Sequence, residues 1–457
     1  MTPTFRYAHL ADLHLGSWRD EKMRELSTKA FLQAMDTCIG LKIDFILFAG
    51  DIFNTSLPGI DTLKTVTKKL KELKDKEIPL YVIAGSHDFS PSGKTMIDVL
   101  EHAGLLINVC KGAVDPQTNK LHLRFTVDRK TRAKITGILG RKGQLDKKYY
   151  EDLAHEPLEQ EQGYKIFMFH TSISELKPKH LEQIESQPAS FLPKGFAYYA
   201  GGHIHHRNEV LIPEYGLLTY PGALFPNNFA EVEKYSHGGF YVVTVSEEER
   251  EEEEEEECEK KSEQEIEQEK KQELKNELEN EQKLAEAENH KRTQIIEWLP
   301  VEVAKHHKVF IDCTNKSPEV IIFEILNHFH NQDLQKNVIT IRLSGMLAEG
   351  GSSQINWKEI FDQLYQQGAE VIMKNTAELH AEDFEEIHIA EAAPEVMEER
   401  VIREHLQQSE IFSKEIEFHL AVSLLSLLNT NKKEGETVAD FQQRICSETK
   451  RVMEEVP

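Results

Sequence analysis

The sequence has few cysteines, and their placement excludes a disulfide scaffold. Its 457 residues contain five, at positions far apart: Cys38, Cys110, Cys258, Cys313 and Cys446. No two have C-x-x-C spacing, and an odd total fits a reducing compartment without disulfides. The chain also lacks an apolar signal core at its N-terminus and any run of the roughly 18 apolar residues that a membrane span needs. We therefore expect a cytoplasmic protein with no membrane partner.

The sequence is also poor in positive charge. A net charge of −25 is unlike that of a nucleic-acid binder, because phosphate contacts need clustered Lys and Arg. However, residues 247–291 contain 21 Glu against 8 Lys and Arg, a net of −13, which leaves −12 for all other residues. The total charge is therefore a poor description of the rest of the chain.

The length exceeds that of one ordinary hydrophobic core, so several domains are expected. Residues 1–245 alternate apolar strands with helices, and residues 294–390 contain a second, smaller β-α alternation. The Glu-rich residues 246–293 between them have too few apolar positions for a coiled coil. An exposed helix or a disordered linker is expected there, and nothing supports an acidic binding site for a partner. Residues 391–457 are predicted to be helical.

Residues 1–245 are predicted to form a two-layered α/β domain. Short apolar runs at 5–10, 45–49 and 80–84 are separated by predicted helices, which is typical of a mainly parallel inner sheet covered on both faces. Further apolar strands are predicted at 165–169 and 197–200. Such sheets place their chemistry beyond the carboxyl ends of the strands.

Each of these strands is followed by a side chain that can bind a metal. We expect Asp12 and His14 to lie on one side of an extended segment, because strand side chains alternate; for this pair alone, a capping Asp and a surface His are the alternative. Possible metal ligands also follow the later strands, in this chain order: Asp51, then Ser86 and His87, then His170, then His203 and His205.

This mixture of carboxylate and imidazole favours Mn, Fe or Zn over Mg or Ca and excludes a thiolate-rich structural zinc site. The set is too large for one ion, but two ions roughly 3.5–4 Å apart that share Asp51 would use it. The predicted ligands are Asp12, His14, Asp51 and His205 for one ion, and Asp51, Ser86, His170 and His203 for the other. His87 remains as a general acid or phosphate-orienting group. Asp88 either orients His87 or caps a following helix.

The ordered motifs resemble those of a known family. They are DLHLG, GDIFNTSLP, GSHD, the lone His170 after an apolar strand, and GGHIHH followed by YPGA. This series resembles that of the calcineurin-like metallophosphoesterases, a two-layered β-sandwich flanked by helices. It is most similar to the SbcD-type nuclease subunit of the double-strand-break repair complex, strongly over 1–245 and loosely over 294–390. The resemblance implies a DNA exonuclease and endonuclease that uses two Mn²⁺ and acts with a coiled-coil ABC-type ATPase.

The resemblance also implies roles for the other segments. Residues 294–390 would be a DNA-capping domain, and the helices near 60–74 and 95–105 would form a homodimer bundle. The tail, 391–457, would bind the ATPase. Its apolar stripe fits docking into a groove, and packing against the helix at 438–453 is the alternative. The stripe consists of Ile416, Leu420, Leu424, Leu427 and Leu428.

Two positions depart from the family pattern. Ser86 stands where the family has an Asn whose amide oxygen binds the second metal, and a hydroxyl is a poorer donor. Asn54 stands where close relatives often carry a His that orients the scissile phosphate. We therefore expect weak second-metal binding. Two other functions stay open: a nucleotide phosphodiesterase, which would not need the C-terminal segments, and a catalytically silent dimeric scaffold for the ATPase.

Overall fold

The computed structural model describes residues 3–89, 93, 95–141, 146–177, 186–247, 292–330, 332–348, 351–381, 414–428, 430 and 438–454. Residues 1–381 and 382–457 are two separate compact units. The predicted helical or disordered linker at 246–293 lies almost wholly outside the described residues. Residues 391–413 of the predicted tail also lie outside them.

The strands are numbered in chain order. Strands β1 to β9 are Pro3–Leu10, Phe45–Ala49, Leu80–Ile83, Ile107–Asn108, Gly112–Val114, Leu121–Leu123, Thr126–Val127, Lys134–Gly137 and Lys165–His170. Strands β10 to β17 are Tyr198–Gly202, Asn208–Ile212, Gly216–Tyr220, Gly238–Glu247, Arg292–Val301, Lys305–Asp312, Asn337–Leu347 and Val371–Ala381.

The helices are numbered in the same way. Helices α1 to α5 are Glu21–Gly40, Ile60–Asp75, Met96–His102, Lys147–Glu151 and Glu156–Glu159. Helices α6 to α10 are Phe229–Tyr235, Pro318–His328, Trp357–Gln366, Lys414–Leu428 and Val438–Glu454.

Two six-stranded sheets pack face to face, which confirms the predicted two-layered sandwich flanked by helices. One has the order β14-β13-β1-β2-β3-β4 and the other β11-β12-β10-β9-β8-β7. Aromatic and aliphatic side chains from both sheets, such as Tyr7, Phe45 and Tyr198, fill the space between them. The outer face of the first sheet buries α1, α2 and α3 in a second core. All five residues of β2 are buried for this reason.

Strand β14 changes the predicted domain boundary. It pairs antiparallel with β13 along its whole length, from Gly238 opposite Val301 to Glu247 opposite Arg292. Residues 292–301 therefore complete the first sheet, whereas the sequence pattern places a boundary at 294. Strand β13 lies before the Glu-rich segment and β14 lies after it. The sequence pattern on either side of that segment therefore gives no sign that the two strands pair.

The smaller α/β part is the predicted βαβαβ unit. Strands β15, β16 and β17 are parallel, and α7 and α8 pack on one face of the sheet through one core that includes Ile321, Ile341 and Leu364. Val338 and Val371 lie instead in the core that contains α1. The small sheet is therefore packed directly on the sandwich domain.

In the second unit, α9 and α10 contact each other. The described residues thus form the helical pair that was the alternative to partner docking, and docking on an ATPase stays a prediction. Across the part of the chain that the structure describes, no helix combines the length and the apolar character that a membrane crossing requires.

Candidate metal centre

The loops that follow β1, β2, β9 and β10 meet at one edge of the two sheets. Strand β1 ends at Leu10, and the φ angles of Asp12 and His14 are 51° and 41°. The pair therefore lies in the left-handed region and not on an extended segment, so the predicted strand alternation was wrong. The backbone N–H groups of Asp12 and His14 instead donate to the carbonyls of Gly50 (3.2 Å) and Asp51 (2.9 Å). These hydrogen bonds hold the loop after β1 against the loop after β2.

Asp51 and His203 also have positive φ angles, 49° and 87°. Non-glycine residues adopt this conformation at a cost, and it is common where a fold holds a functional group in place. Asp12 contributes to holding His203, whose backbone N–H donates to both Asp12 oxygens at 3.1 and 2.9 Å. Hydrogen bonds thus connect these left-handed positions to one another.

The first predicted ligand set converges. His14 Nε2 lies 3.1 Å from His205 Nε2, 3.9 Å from Asp12 Oδ1 and 3.6 Å from Asp51 Oδ2. Burial lowers the pKa of His14 to about 3, so its ring is neutral, which is the form that binds a metal. Ring nitrogens and carboxylate oxygens that face one another at these distances are a suitable cage for a cation.

The second predicted set converges in part: Ser86 and His170 face the same carboxylate, and Asp12 joins Asp51 and His170 with ligand atoms within 4.8 Å of one another. His170 Nε2 lies 3.2 Å from Asp51 Oδ2, and Ser86 Oγ donates to that oxygen at 3.3 Å. The His203 ring is beside His170, with centroids 5.4 Å apart. His170 Nδ1 donates to the Ala49 carbonyl at 2.8 Å. Its buried Nε2 has no hydrogen bond of ordinary geometry to any described residue, which is what a metal-ligand nitrogen would show.

The charge of Asp51 organises this group. Burial raises the pKa of the Asp51 carboxyl, but the charge of His170, together with the hydrogen bond from the His87 backbone N–H, outweighs burial and holds that pKa well below its usual range. In turn, burial lowers the pKa of His170, and Asp51 more than reverses this and raises it to about 10. A positive charge between the two is thus strongly favoured, whether it is a proton or a metal ion.

His87 lies beside the first set and is oriented from behind. Its ring centroid is 4.8 Å from that of His14, and its Nδ1 donates to the Asn54 carbonyl at 2.9 Å. The backbone of Asn54, not its side chain, makes this contact. The backbone N–H of His87 donates to Asp51 Oδ1 at 2.7 Å. A ring nitrogen of His87 lies within 4.8 Å of ligand atoms of His14 and Asp51, so the ring is at the metal centre itself.

Among the described residues, Asp88 makes neither of its two predicted contacts, and the segment from Ser90 that it was expected to cap lies partly outside them. Its buried carboxylate accepts from the backbone N–H groups of Gly85 (2.9 Å) and Phe53 (3.3 Å), and α3 is capped by Thr95. Asp88 therefore ties the second and third strand-end loops together. Burial, and after it the negative charge of Asp51, raise its pKa to about 7.

Glu231 was not predicted from the sequence. It lies in the first turn of α6, and its Oε1 accepts from His205 Nδ1 at 2.9 Å. Asn228 and Glu231 have the spacing of a helix N-terminus, but that pattern predicts capping and gives no indication of a contact with His205. The donor set as a whole, two carboxylates and neighbouring imidazoles, fits divalent metal ions.

Comparison with known proteins gives the class of this domain. Residues 5–207 match the calcineurin-like phosphoesterase family. This match agrees with the family that the motif series resembles.

Its relatives include archaeal proteins named DNA double-strand break repair protein Mre11. The chain is 31% identical to that of Methanococcus maripaludis over 254 residues, which are 53% of this chain and 63% of the relative. It is 28% identical to that of Methanopyrus kandleri (52% and 53%) and 28% identical to that of Archaeoglobus fulgidus (50% and 52%). The matches confirm the resemblance to SbcD-type nucleases, and the chain spans about half to 63% of the length of these relatives.

Proposed function

We propose that this chain is a DNA nuclease of double-strand-break repair that hydrolyses phosphodiester bonds with two Mn²⁺ ions. The observation that carries the proposal is the Asp51 carboxylate, which faces His14 on one side and His170 on the other. One carboxylate between two imidazole-rich sets is the arrangement that a two-metal phosphoesterase needs. The repair function and DNA as substrate are supported by the names of the relatives.

In this proposal, Asp12, His14, Asp51 and His205 would hold one ion, and Asp51, Ser86, His170 and His203 the other. Bound metal ions supply an activated water and stabilise charge on the phosphate. His87 donates a hydrogen bond to the scissile phosphate or a proton to the leaving 3′ oxygen. Its ring is held for this by the Asn54 carbonyl.

Cleavage of end-labelled linear duplex DNA across a Mn²⁺ titration tests the proposal. We expect degradation that stops when EDTA is added, and a 3′ label that is lost before a 5′ label, as for a 3′–5′ exonuclease. Circular single-stranded DNA tests endonuclease activity. Hydrolysis of cyclic nucleotides without DNA cleavage would instead identify a nucleotide phosphodiesterase. No cleavage at any Mn²⁺ concentration, with the ATPase present, would identify a silent scaffold.

Ser86 is proposed to weaken the second metal position. Its hydroxyl donates to Asp51 Oδ2 at 3.3 Å, so its hydrogen is directed at the carboxylate that both ions would share. We expect Ser86→Asn to lower the Mn²⁺ concentration for half-maximal cleavage by about tenfold, because an amide oxygen is a better neutral donor. Ser344→Asn, at a half-buried serine of the small α/β unit, is the control. Saturation of the wild-type enzyme at low micromolar Mn²⁺ with no gain in Ser86→Asn would contradict the idea.

We also propose that the chain dimerises through α2 and α3. Ile60, at the start of α2, is 83% exposed, the neighbouring Leu57 is 78% exposed, and Val99 of α3 is 58% exposed. Ile60→Lys should convert the dimer to a monomer in sedimentation equilibrium. Leu211→Lys, at a residue that is 74% exposed on β11, should not. A wild-type chain that is monomeric at all concentrations would remove the proposal.

A coiled-coil ABC-type ATPase is the proposed partner of the tail, through α9 and α10. Helix α9 has apolar residues on most of its surface, with Leu425 47% exposed, so contact with α10 does not bury all of them. Co-purification of the full chain with the ATPase should be lost in Leu425→Asp and kept in Leu211→Lys. Equal recovery with both variants would contradict this docking site.

A further inference from the structure

Helix α6 contacts the candidate metal centre through Glu231. The Glu231 carboxylate accepts from His205 Nδ1 at 2.9 Å, and this leaves His205 Nε2 directed at Asp12 Oδ1 (3.7 Å) and His14 Nε2 (3.1 Å). A histidine whose Nδ1–H is held by a carboxylate has one tautomer and one ring orientation. Without that acceptor, the ring of His205, which is a quarter exposed, could rotate away.

The same helix contacts the small α/β unit two residues later. Arg342, in the middle strand of the small sheet, donates to both oxygens of Glu233, with distances from 2.8 to 3.1 Å. The guanidinium also lies over the ring of Phe229, the first residue of α6, at 5.5 Å from its centroid. Forked bonds of this type restrain direction as well as distance.

From these contacts we propose that Glu231 is the positioning residue for His205, and that α6 transmits the placement of the small α/β unit to the first metal position. A helix of two turns is too short to bend between residues 231 and 233. Movement of Arg342 therefore shifts Glu231 and changes the direction of the His205 lone pair. The proposal rests on the proposed function only in assuming that His205 binds a metal.

A purely local role for Glu231 would be to stabilise the start of α6. Its carboxylate also accepts from the Asn227 backbone N–H (2.8 Å) and the Asn228 side chain (2.7 Å), and the Asn228 side chain accepts from the Glu231 N–H (2.9 Å). Asn228→Ala removes the helix cap and leaves the carboxylate that faces His205. It is the matched control for a capping role.

The first experiment measures Mn²⁺ binding by calorimetry on the full chain without DNA. Glu231→Ala should weaken the tighter binding step by about 10- to 100-fold, and Glu231→Gln, which keeps an acceptor for His205, should recover part of it. Asn228→Ala should lower the melting temperature but leave Mn²⁺ affinity unchanged. Equal Mn²⁺ affinity in Glu231→Ala and wild type, or an equal loss in Asn228→Ala, would overturn the positioning role.

The second experiment tests transmission through α6 with a double-mutant cycle. Arg342→Leu should weaken Mn²⁺ binding by about 3- to 10-fold, and in the Glu231→Ala background it should have no further effect. Lys316→Ala, which breaks an ion pair with Glu324 inside the small unit, should not change Mn²⁺ affinity. Additive effects of Arg342→Leu and Glu231→Ala, or no effect of Arg342→Leu, would overturn transmission. Both experiments measure Mn²⁺ affinity without DNA. A chain that binds Mn²⁺ but does not cleave DNA would therefore contradict the proposed function and leave both of these results interpretable.

Discussion

Asp51→Asn is expected to reduce metal-dependent DNA cleavage by about 10³-fold or more, because one substitution removes a shared anionic ligand from both proposed metal positions. Asp51 Oδ2 faces both His14 and His170, and a neutral amide cannot balance two divalent ions. The fold should persist. An amide oxygen can still accept from the His87 N–H at the Oδ1 position, and asparagine tolerates the left-handed φ of 49°.

The measurement compares cleavage rates at saturating Mn²⁺ and Mn²⁺ binding by calorimetry. Asp128→Asn is the matched control, because Asp128 is an equally buried carboxylate that accepts from the Tyr81 hydroxyl, the Lys130 backbone N–H, and the backbone and hydroxyl of Thr131. That variant should lose some stability and keep Mn²⁺ binding. An Asp51→Asn protein that cleaves DNA within tenfold of the wild-type rate would show that Asp51 is not the shared ligand.

Gly202→Ala is expected to lower the free energy of unfolding by about 3 kcal/mol or more and to disrupt the second metal position. A Cβ at position 202 would overlap the Ala49 carbonyl and lie 2.7 Å from His170 Nδ1. The Ala49 carbonyl accepts the hydrogen bond from His170 Nδ1 that orients the His170 ring. The loops after β2 and β10 would have to separate, and His170 would lose its direction towards Asp51.

Urea unfolding of the metal-free protein and Mn²⁺ calorimetry check both parts of this result. Gly40→Ala is the control, because a Cβ at the end of α1 meets no atom within 4 Å. It should change the unfolding free energy by less than about 1 kcal/mol, in the stabilising direction if at all. An unchanged urea midpoint for Gly202→Ala would mean that the two loops are not closely packed there.

Much of the fold and of the site could be predicted from the sequence, because the relevant signals are local. An apolar run such as 45–49 needs two covering layers, and this indicates a buried strand before any partner is known. Because β1, β2 and β3 are parallel, residues that follow them must meet at one edge. Asp12, Asp51 and His87 were therefore correctly expected to be neighbours without any knowledge of their distances.

The contacts that orient those residues depend on pairings between distant parts of the chain. The left-handed backbone of Asp12 and His14 is held by the loop after β2, Asp88 ties two loops together, and β14 joins β13 across the Glu-rich segment. The sequence alone determined which side chains end the strands, because strand formation follows from local hydrophobicity. Only the tertiary structure decided that Glu231 holds His205, because the two residues are 26 positions apart and the chain between them carries no periodic signal for that contact.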